Sequence, residues 1–311
     1  MNVTAYERIR QQLDDNTAVL LDGAMGSELV RRGVRWRGHG LRTDPDQVEA
    51  LHAEYIAAGA DVIRTNTFQL NDRIYLNVFR DPDHRRHIGA PGLETRAHDL
   101  TFKAVEMAKA AREGAGVDVA IAGVMAPLEH CFRPDLAPDD RTALEQHGDI
   151  ADWFSEAGVD LLLLESMNNV GEARMAAEAA VSTGLPVWVS FIMGPEGAIL
   201  SGEPLADGVK AVDALGVEAV LVNCVPPEDT AQGVEQLRMS TSLPVGAYAQ
   251  VGKFDPPSWK FEFHPRFTES DDWPPEKYAE KAKGWRGAGA RIIGGCCGTD
   301  PNYVRALREA L

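Results

Sequence analysis

Three cysteines sit where apolar runs of this chain break off. Cys224 closes VEAVLVNC, and Cys296 and Cys297 follow ARIIGG directly. Thiolates are soft ligands, and three of them suit zinc, which prefers a tetrahedron and in a catalytic site takes three ligands from protein and leaves the fourth for water or substrate. A Cys-Cys pair taken alone reads first as two buried, inert thiols. Joined to Cys224 and framed by Gly294, Gly295 and Gly298, it reads as a metal site, the glycines being expected to supply the backbone angles that turn two neighbouring side chains toward one point. Cys131 has no such frame and reads as a bystander. Two acids close other runs, Asp22 in AVLLDG and Glu165 in VDLLLLES; their plainest readings are a turn-forming Asp and a capping or ion-paired Glu. The run ends carry no Ser/His/Asp nucleophile set.

The elements that must position these residues follow from the pattern of the runs. Eight short, nearly continuous apolar runs fall at residues 18–23, 60–66, 118–126, 159–166, 186–193, 217–224, 244–250 and 290–297. Runs without in/out alternation are what strands covered on both faces look like, which means parallel strands under helices. Eight helix candidates lie between them, at residues 44–59, 93–113, 141–157, 170–183, 205–215, 228–239, 275–288 and 301–311. In the first of these Val48, Leu51, Tyr55 and Ile56 share one face. Eightfold alternation predicts an α/β (β/α)8 barrel over residues 1–311, with a doubly wound open sheet as the alternative. The active site of such a barrel lies at the carboxyl ends of the strands, so the three cysteines are expected to meet at one mouth. Two connections exceed simple turns. Residues 70–92 carry His84, Arg85, Arg86 and His87, and residues 251–274 carry Phe254, Trp259, Phe261, Phe263 and Trp273. Long loops of this kind are commonly lids or contact surfaces, and the alternative is that they pad the barrel rim or a homo-oligomer contact.

Composition narrows the partners. The chain has 311 residues, 44% of them hydrophobic and 25% charged, enough apolar material for a sizeable core. A net charge of −16 repels phosphate backbones and anionic lipid headgroups, which argues against nucleic acid and membrane partners and leaves small molecules. No apolar stretch of signal-peptide or membrane-spanning length is visible, so a cytoplasmic location is expected, where four cysteines are not disulfide staples.

The segments LLDGAMGSEL, GADVIRTNTFQ, VNC and GARIIGGCCGTDP, in that order from Asp22 to Pro301, together resemble the zinc-dependent homocysteine S-methyltransferase family. The resemblance implies a (β/α)8 barrel in which Cys224, Cys296 and Cys297 hold Zn2+ and Zn2+ holds the homocysteine thiol. By the same resemblance Glu165 matches the Glu that binds the substrate amino group, and Asp22 resembles a second substrate-side acid. The turn Thr65, Asn66, Thr67, Phe68 is expected to offer backbone N–H groups to the substrate carboxylate. Elementary chemistry agrees with this picture. An alkyl thiol with pKa near 8.5 is mostly protonated at neutral pH, and zinc coordination removes the proton. The thiolate then attacks a methyl on positive sulfur or nitrogen, a neutral group leaves in line, and no general base is needed.

The methyl donor is less constrained by these residues. Members of the superfamily take S-methylmethionine, S-adenosylmethionine, betaine, or methyltetrahydrofolate by way of cobalamin. Betaine users place tyrosines after the Glu and in the turn that follows the second run, where this chain has Ser166 and Gln69. A sulfonium donor is therefore expected, S-methylmethionine ahead of S-adenosylmethionine on size, with Trp36 offering its ring to the cation. The alternatives are a thiol methyltransferase using another thiol or a corrinoid or betaine donor, a metal-dependent barrel hydrolase or lyase, and a barrel that binds zinc without catalysis.

Overall fold

The computed structural model describes residues 4–35, 37–76, 81–87, 92–194, 197–255 and 266–311. All eight expected runs become parallel strands of one sheet. These are β1 (Val19–Leu20), β2 (Val62–Arg64), β3 (Ala120–Met125), β4 (Leu161–Met167), β5 (Val187–Ile192), β6 (Ala219–Asn223), β7 (Val245–Ala249) and, after a two-stranded hairpin, β10 (Ile292–Gly295). The order β1-β10-β7-β6-β5-β4-β3-β2 is closed by a parallel bridge between Leu21 and Val62, with Asp61 N donating to Leu20 O at 2.8 Å and Asp22 N to Val62 O at 3.0 Å. The sheet is thus rolled into the expected (β/α)8 barrel.

The continuous apolar runs are explained by two cores. Inside the barrel Val19, Leu21, Val62, Ala120, Ala122, Leu161, Leu163, Trp188, Ala219, Leu221, Tyr248 and Ile292 pack together. Their neighbours of opposite parity, among them Leu20, Ile63, Ile121, Leu162, Leu164, Val220, Val222 and Ile293, pack under the helices. Period two along a strand therefore assigns each residue to one of two buried faces, and both have to be apolar. The helices α3 (Pro45–Ala58), α6 (Arg96–Ala115), α7 (Asp140–Ala157), α8 (Val170–Ser182), α9 (Leu205–Asp213), α10 (Thr230–Ser240), α11 (Pro275–Ala288) and α12 (Pro301–Ala310) match the eight expected segments to within a few residues. Val48, Leu51, Tyr55 and Ile56 form the buried stripe of α3 as expected.

Four further α-helices lie among the described residues. The first is α1 (Ala5–Asp14), whose capping box pairs Thr4 with Glu7 and whose Tyr6, Ile9 and Leu13 enter the inner core. Tyr6 donates to Glu218 Oε2 at 2.8 Å and accepts from Trp188 Nε1 at 3.0 Å, so α1 plugs the amino-terminal end of the barrel. The others are α2 (Gly26–Arg31), α4 (Asp72–Leu76) and α5 (Pro82–His87). The long connections are thereby partly structured. His84 to His87 lie on α5, and the second connection forms an antiparallel hairpin of β8 (Gly252–Asp255) and β9 (Arg266–Glu269). Trp273 packs against the outer core with Lys277 Nζ 4.4 Å from its ring centroid, whereas Trp259, Phe261 and Phe263 lie outside the described residues. No described helix is long and apolar enough to cross a membrane.

Two apolar layers, inside the barrel and under the helices, hold these strands together. Chelator-treated protein should therefore keep its far-ultraviolet circular dichroism. A wholesale loss of helical signal on metal removal would show that the metal is part of the fold.

Candidate active site

The amino-terminal end is plugged, and the three cysteines meet at the other end of the barrel, at the carboxyl ends of the strands. Cys224 Sγ lies 2.9 Å from Cys296 Sγ, Cys296 Sγ lies 3.9 Å from Cys297 Sγ, and all three sulfurs fall within 4.8 Å of one another. A tetrahedral zinc with Zn–S bonds of about 2.3 Å sets its sulfurs about 3.8 Å apart; the Cys296–Cys297 pair matches that spacing, and Cys224 and Cys296 would have to separate by about 0.9 Å to take the ion between them. Among the described residues this is the group of His, Cys, Asp and Glu side chains arranged to hold a metal. The neighbouring Cys224 and Cys297 thiols, and after them the Arg64 charge, hold the Cys296 thiol well below its usual range. Cys131 stands outside the triad; burial and then the Cys296 charge push its thiol up to about 12.

The backbone reasons for this convergence differ from the sequence expectation. Of the framing glycines, only Gly298 has a left-handed φ, 84°. Gly294 and Gly295 are required for space. A Cβ on Gly294 would lie 2.5 Å from Leu21 Cβ, and one on Gly295 would lie 2.2 Å from Thr299 Oγ1. That hydroxyl donates to Cys296 O at 2.7 Å and closes the turn holding the cysteine pair. The left-handed residue that aims a thiol is Cys224 itself, at φ 51°. Beside it, Asn223 Oδ1 accepts from Ser190 Oγ at 2.7 Å and from Ser166 N at 3.2 Å, while its Nδ2 donates to Ser166 Oγ at 2.6 Å. One side chain thus ties the ends of β4, β5 and β6 and fixes the backbone from which Cys224 departs.

Glu165 lies two residues beyond Leu163 on β4, so strand periodicity turns it into the barrel. A register shift between Leu164 and Met167, with Ser166 at φ 63°, bulges the strand just past it. Its side chain is 11% exposed and that of Asp22 is fully buried. Both reach the same cation, which the sequence reading did not single out. Arg64, at the end of β2 and 7% exposed, donates from Nε to Asp22 Oδ1 and from Nη1 to Glu165 Oε1, each at 2.6 Å. Its backbone N–H donates to Asp22 Oδ2 at 2.9 Å, so both oxygens of Asp22 are taken. Nη2 reaches the carbonyls of Asp22, Gly23 and Gly295, at 3.0, 2.8 and 2.7 Å. Burial pushes both carboxyls up and Arg64 opposes that shift in each. Stranding such a pair by removing one partner costs about 3 to 5 kcal/mol, which marks Arg64 as a fixture of the site and not as a movable ligand. The signal was present in the sequence: ADVIRTN ends an apolar run in a charge, as LLLLES does.

The turn after β2 is buried. Thr65 and Thr67 share a hydroxyl hydrogen bond of 2.8 Å, Asn66 Nδ2 donates to His39 O at 2.7 Å, and Phe68 O lies 2.6 Å from His39 Nε2. Gln69 takes a left-handed φ of 57° and donates to Glu129 O at 2.6 Å. Among the described residues the backbone N–H groups of Asn66 and Phe68 donate to no acceptor. Trp36, the expected face for the donor cation, lies outside the described residues.

Comparison with known proteins agrees with this geometry. The family model described as homocysteine S-methyltransferase matches residues 19–311. The chain is 29% identical to a homocysteine S-methyltransferase of Escherichia coli, over 96% of this chain and 97% of that one. It is 28% identical to betaine–homocysteine S-methyltransferase 1 of Rattus norvegicus, over 99% of this chain and 75% of the other. Among solved structures, the metallated form of the Escherichia coli homocysteine methyltransferase MmuM superposes with a TM-score of 0.77 at 27% identity, covering 97% of this chain and 99% of that one. A barrel whose mouth gathers three thiols beside a buried carboxylate pair, matched by the family model over nearly its whole length, belongs to the homocysteine S-methyltransferase family.

Proposed function

We propose that this enzyme moves a methyl group from a sulfonium donor, S-methylmethionine or S-adenosylmethionine, to the sulfur of homocysteine, giving methionine, and that Cys224, Cys296 and Cys297 hold Zn2+ for the purpose. The observation that carries the reading is the meeting of three thiols with a half-satisfied carboxylate at one end of one barrel. Zinc in that cradle would supply the acidity that turns the acceptor's thiol into a thiolate at neutral pH.

The chain's own residues do the rest. Asp22, Arg64 and Glu165 together leave one formal negative charge, which suits one ammonium. Glu165 Oε1 is held by Arg64, and among the described residues Oε2 has no hydrogen bond, so Oε2 faces the acceptor's amino group. Asp22 acts one step back, because Arg64 occupies both of its oxygens. The amides of Asn66 and Phe68, in the turn built by Thr65 and Thr67, suit the acceptor's carboxylate. With thiol, amine and carboxylate each held, the sulfur has one direction left in which to meet the methyl carbon. The residues after Glu165 and in the turn after β2 are Ser166 and Gln69, neither of which offers the aromatic face that a quaternary ammonium takes. That favours a sulfonium over betaine, and S-methylmethionine over the larger S-adenosylmethionine.

Zinc-loaded protein incubated with homocysteine and, separately, S-methylmethionine, S-adenosylmethionine and betaine should give methionine by mass detection, fastest in that order. Methionine from betaine alone would overturn the donor argument, and none from any donor despite bound homocysteine would overturn the sulfonium reading. Elemental analysis should find about one zinc per chain, as one catalytic site with three thiol ligands requires. The metal should be lost in Cys224→Ala, Cys296→Ala and Cys297→Ala and retained in Cys131→Ala. Full retention in Cys296→Ala would remove the triad from the account.

A further inference from the structure

Arg64 has no assigned task in methyl transfer, yet its contacts join the two halves of the site. Asp22 clamps it through Nε and through the backbone N–H, which fixes the guanidinium plane. The Tyr248 ring, with its centroid 4.8 Å from the guanidinium carbon, covers one face of that plane. From it Nη1 takes one oxygen of Glu165, and Nη2 takes the carbonyl of Gly295, the residue just before Cys296. One buried side chain therefore touches the carboxyl ends of β1, β4, β7 and β10 from β2.

We infer that Arg64 is a positioning residue which, held by Asp22, aims the free oxygen of Glu165 at the acceptor's ammonium and pins Gly295 so that Cys296 stays with the other two thiols. The first half rests on the ammonium role proposed for Glu165; the second rests on geometry alone. Arginine is required because its fork places several donors in one plane. A lysine carries the same charge on a single point with three donors and cannot serve two carboxylates and three carbonyls together. The variant Arg64→Lys thus keeps the charge and removes the geometry.

The test titrates zinc-loaded wild type, Arg64→Lys, Glu165→Gln and the double variant by calorimetry with homocysteine and with 4-mercaptobutanoate, which is homocysteine without its amino group. Zinc affinity is measured in parallel by competition with a chelator. Wild type should prefer homocysteine. Arg64→Lys and Glu165→Gln should each narrow that preference by about tenfold, the size of one charge-assisted hydrogen bond. The double variant should narrow it no further than the larger single effect, as expected when one residue acts through the other. Zinc should bind about tenfold more weakly in Arg64→Lys and within about threefold of wild type in Glu165→Gln, because only the first loses the hold on Gly295. Asp22→Asn, which loosens the guanidinium without deleting it, should show both effects at smaller size and serves if Arg64→Lys does not fold. Equal loss for both thiols with an unchanged preference, or effects that multiply in the double variant, would overturn the aiming of Glu165. Unchanged zinc affinity in both Arg64→Lys and Asp22→Asn would overturn the pinning of Gly295. A wild type that binds both thiols equally would refute the ammonium role of Glu165 and the first half of the inference, leaving the zinc measurement to decide the second.

Discussion

A guanidinium taken out of water must be surrounded by acceptors, and much of the mouth of this barrel is arranged to meet that requirement. Arg64 collects the two carboxylates at the ends of β1 and β4, the carbonyls of Asp22 and Gly23, and the Gly295 carbonyl that precedes the cysteine pair. Each of those groups would carry a large penalty if buried alone. Placed around one cation they become one frame with one formal surplus negative charge and, among the described residues, one Glu165 oxygen without a hydrogen bond. The contacts that stabilise the frame are the ones on which the proposed recognition of the acceptor's ammonium rests.

The metal cradle obeys a steric constraint of equal strictness. Gly294 and Gly295 leave no room for a Cβ between β10, Leu21 and Thr299, so the strand can approach its neighbours closely enough for Cys296 to face Cys224 across the mouth. Left-handed backbone at Cys224 and Gly298 turns the chain on either side of that meeting point. Asn223, through three hydrogen bonds to Ser166 and Ser190, holds Cys224 to the strands that carry Glu165. Cradle and carboxylate frame share strand ends and are built as one object.

Much of this was legible in the residues. Double burial of every barrel strand leaves continuous apolar runs, so all eight strands and their eight covering helices could be read directly, and a cysteine or acid interrupting such a run stood out. The amino-terminal plug was not, because α1 has only Ala5, Tyr6, Ile9 and Leu13 on its buried face and its target, Trp188, lies inside a strand that reads as ordinary core. The pairing of Asp22 was hidden for a similar reason: spacing shows that an acid ends the strand but not that Arg64, 42 residues on, takes both its oxygens. Of the framing glycines, Gly298 has the left-handed backbone that was expected, whereas Gly294 and Gly295 are needed for space, and sequence alone does not separate the two needs.

The central claim is that three thiols of this chain hold zinc with one position open for the acceptor's sulfur. X-ray absorption at the zinc edge, recorded on zinc-loaded protein before and after addition of homocysteine, reads that position directly. The account predicts three sulfurs at about 2.3 Å and one light atom in the free protein, changing to four sulfurs with homocysteine bound. Four sulfurs before homocysteine is added, or a coordination sphere that homocysteine leaves unchanged, would contradict it.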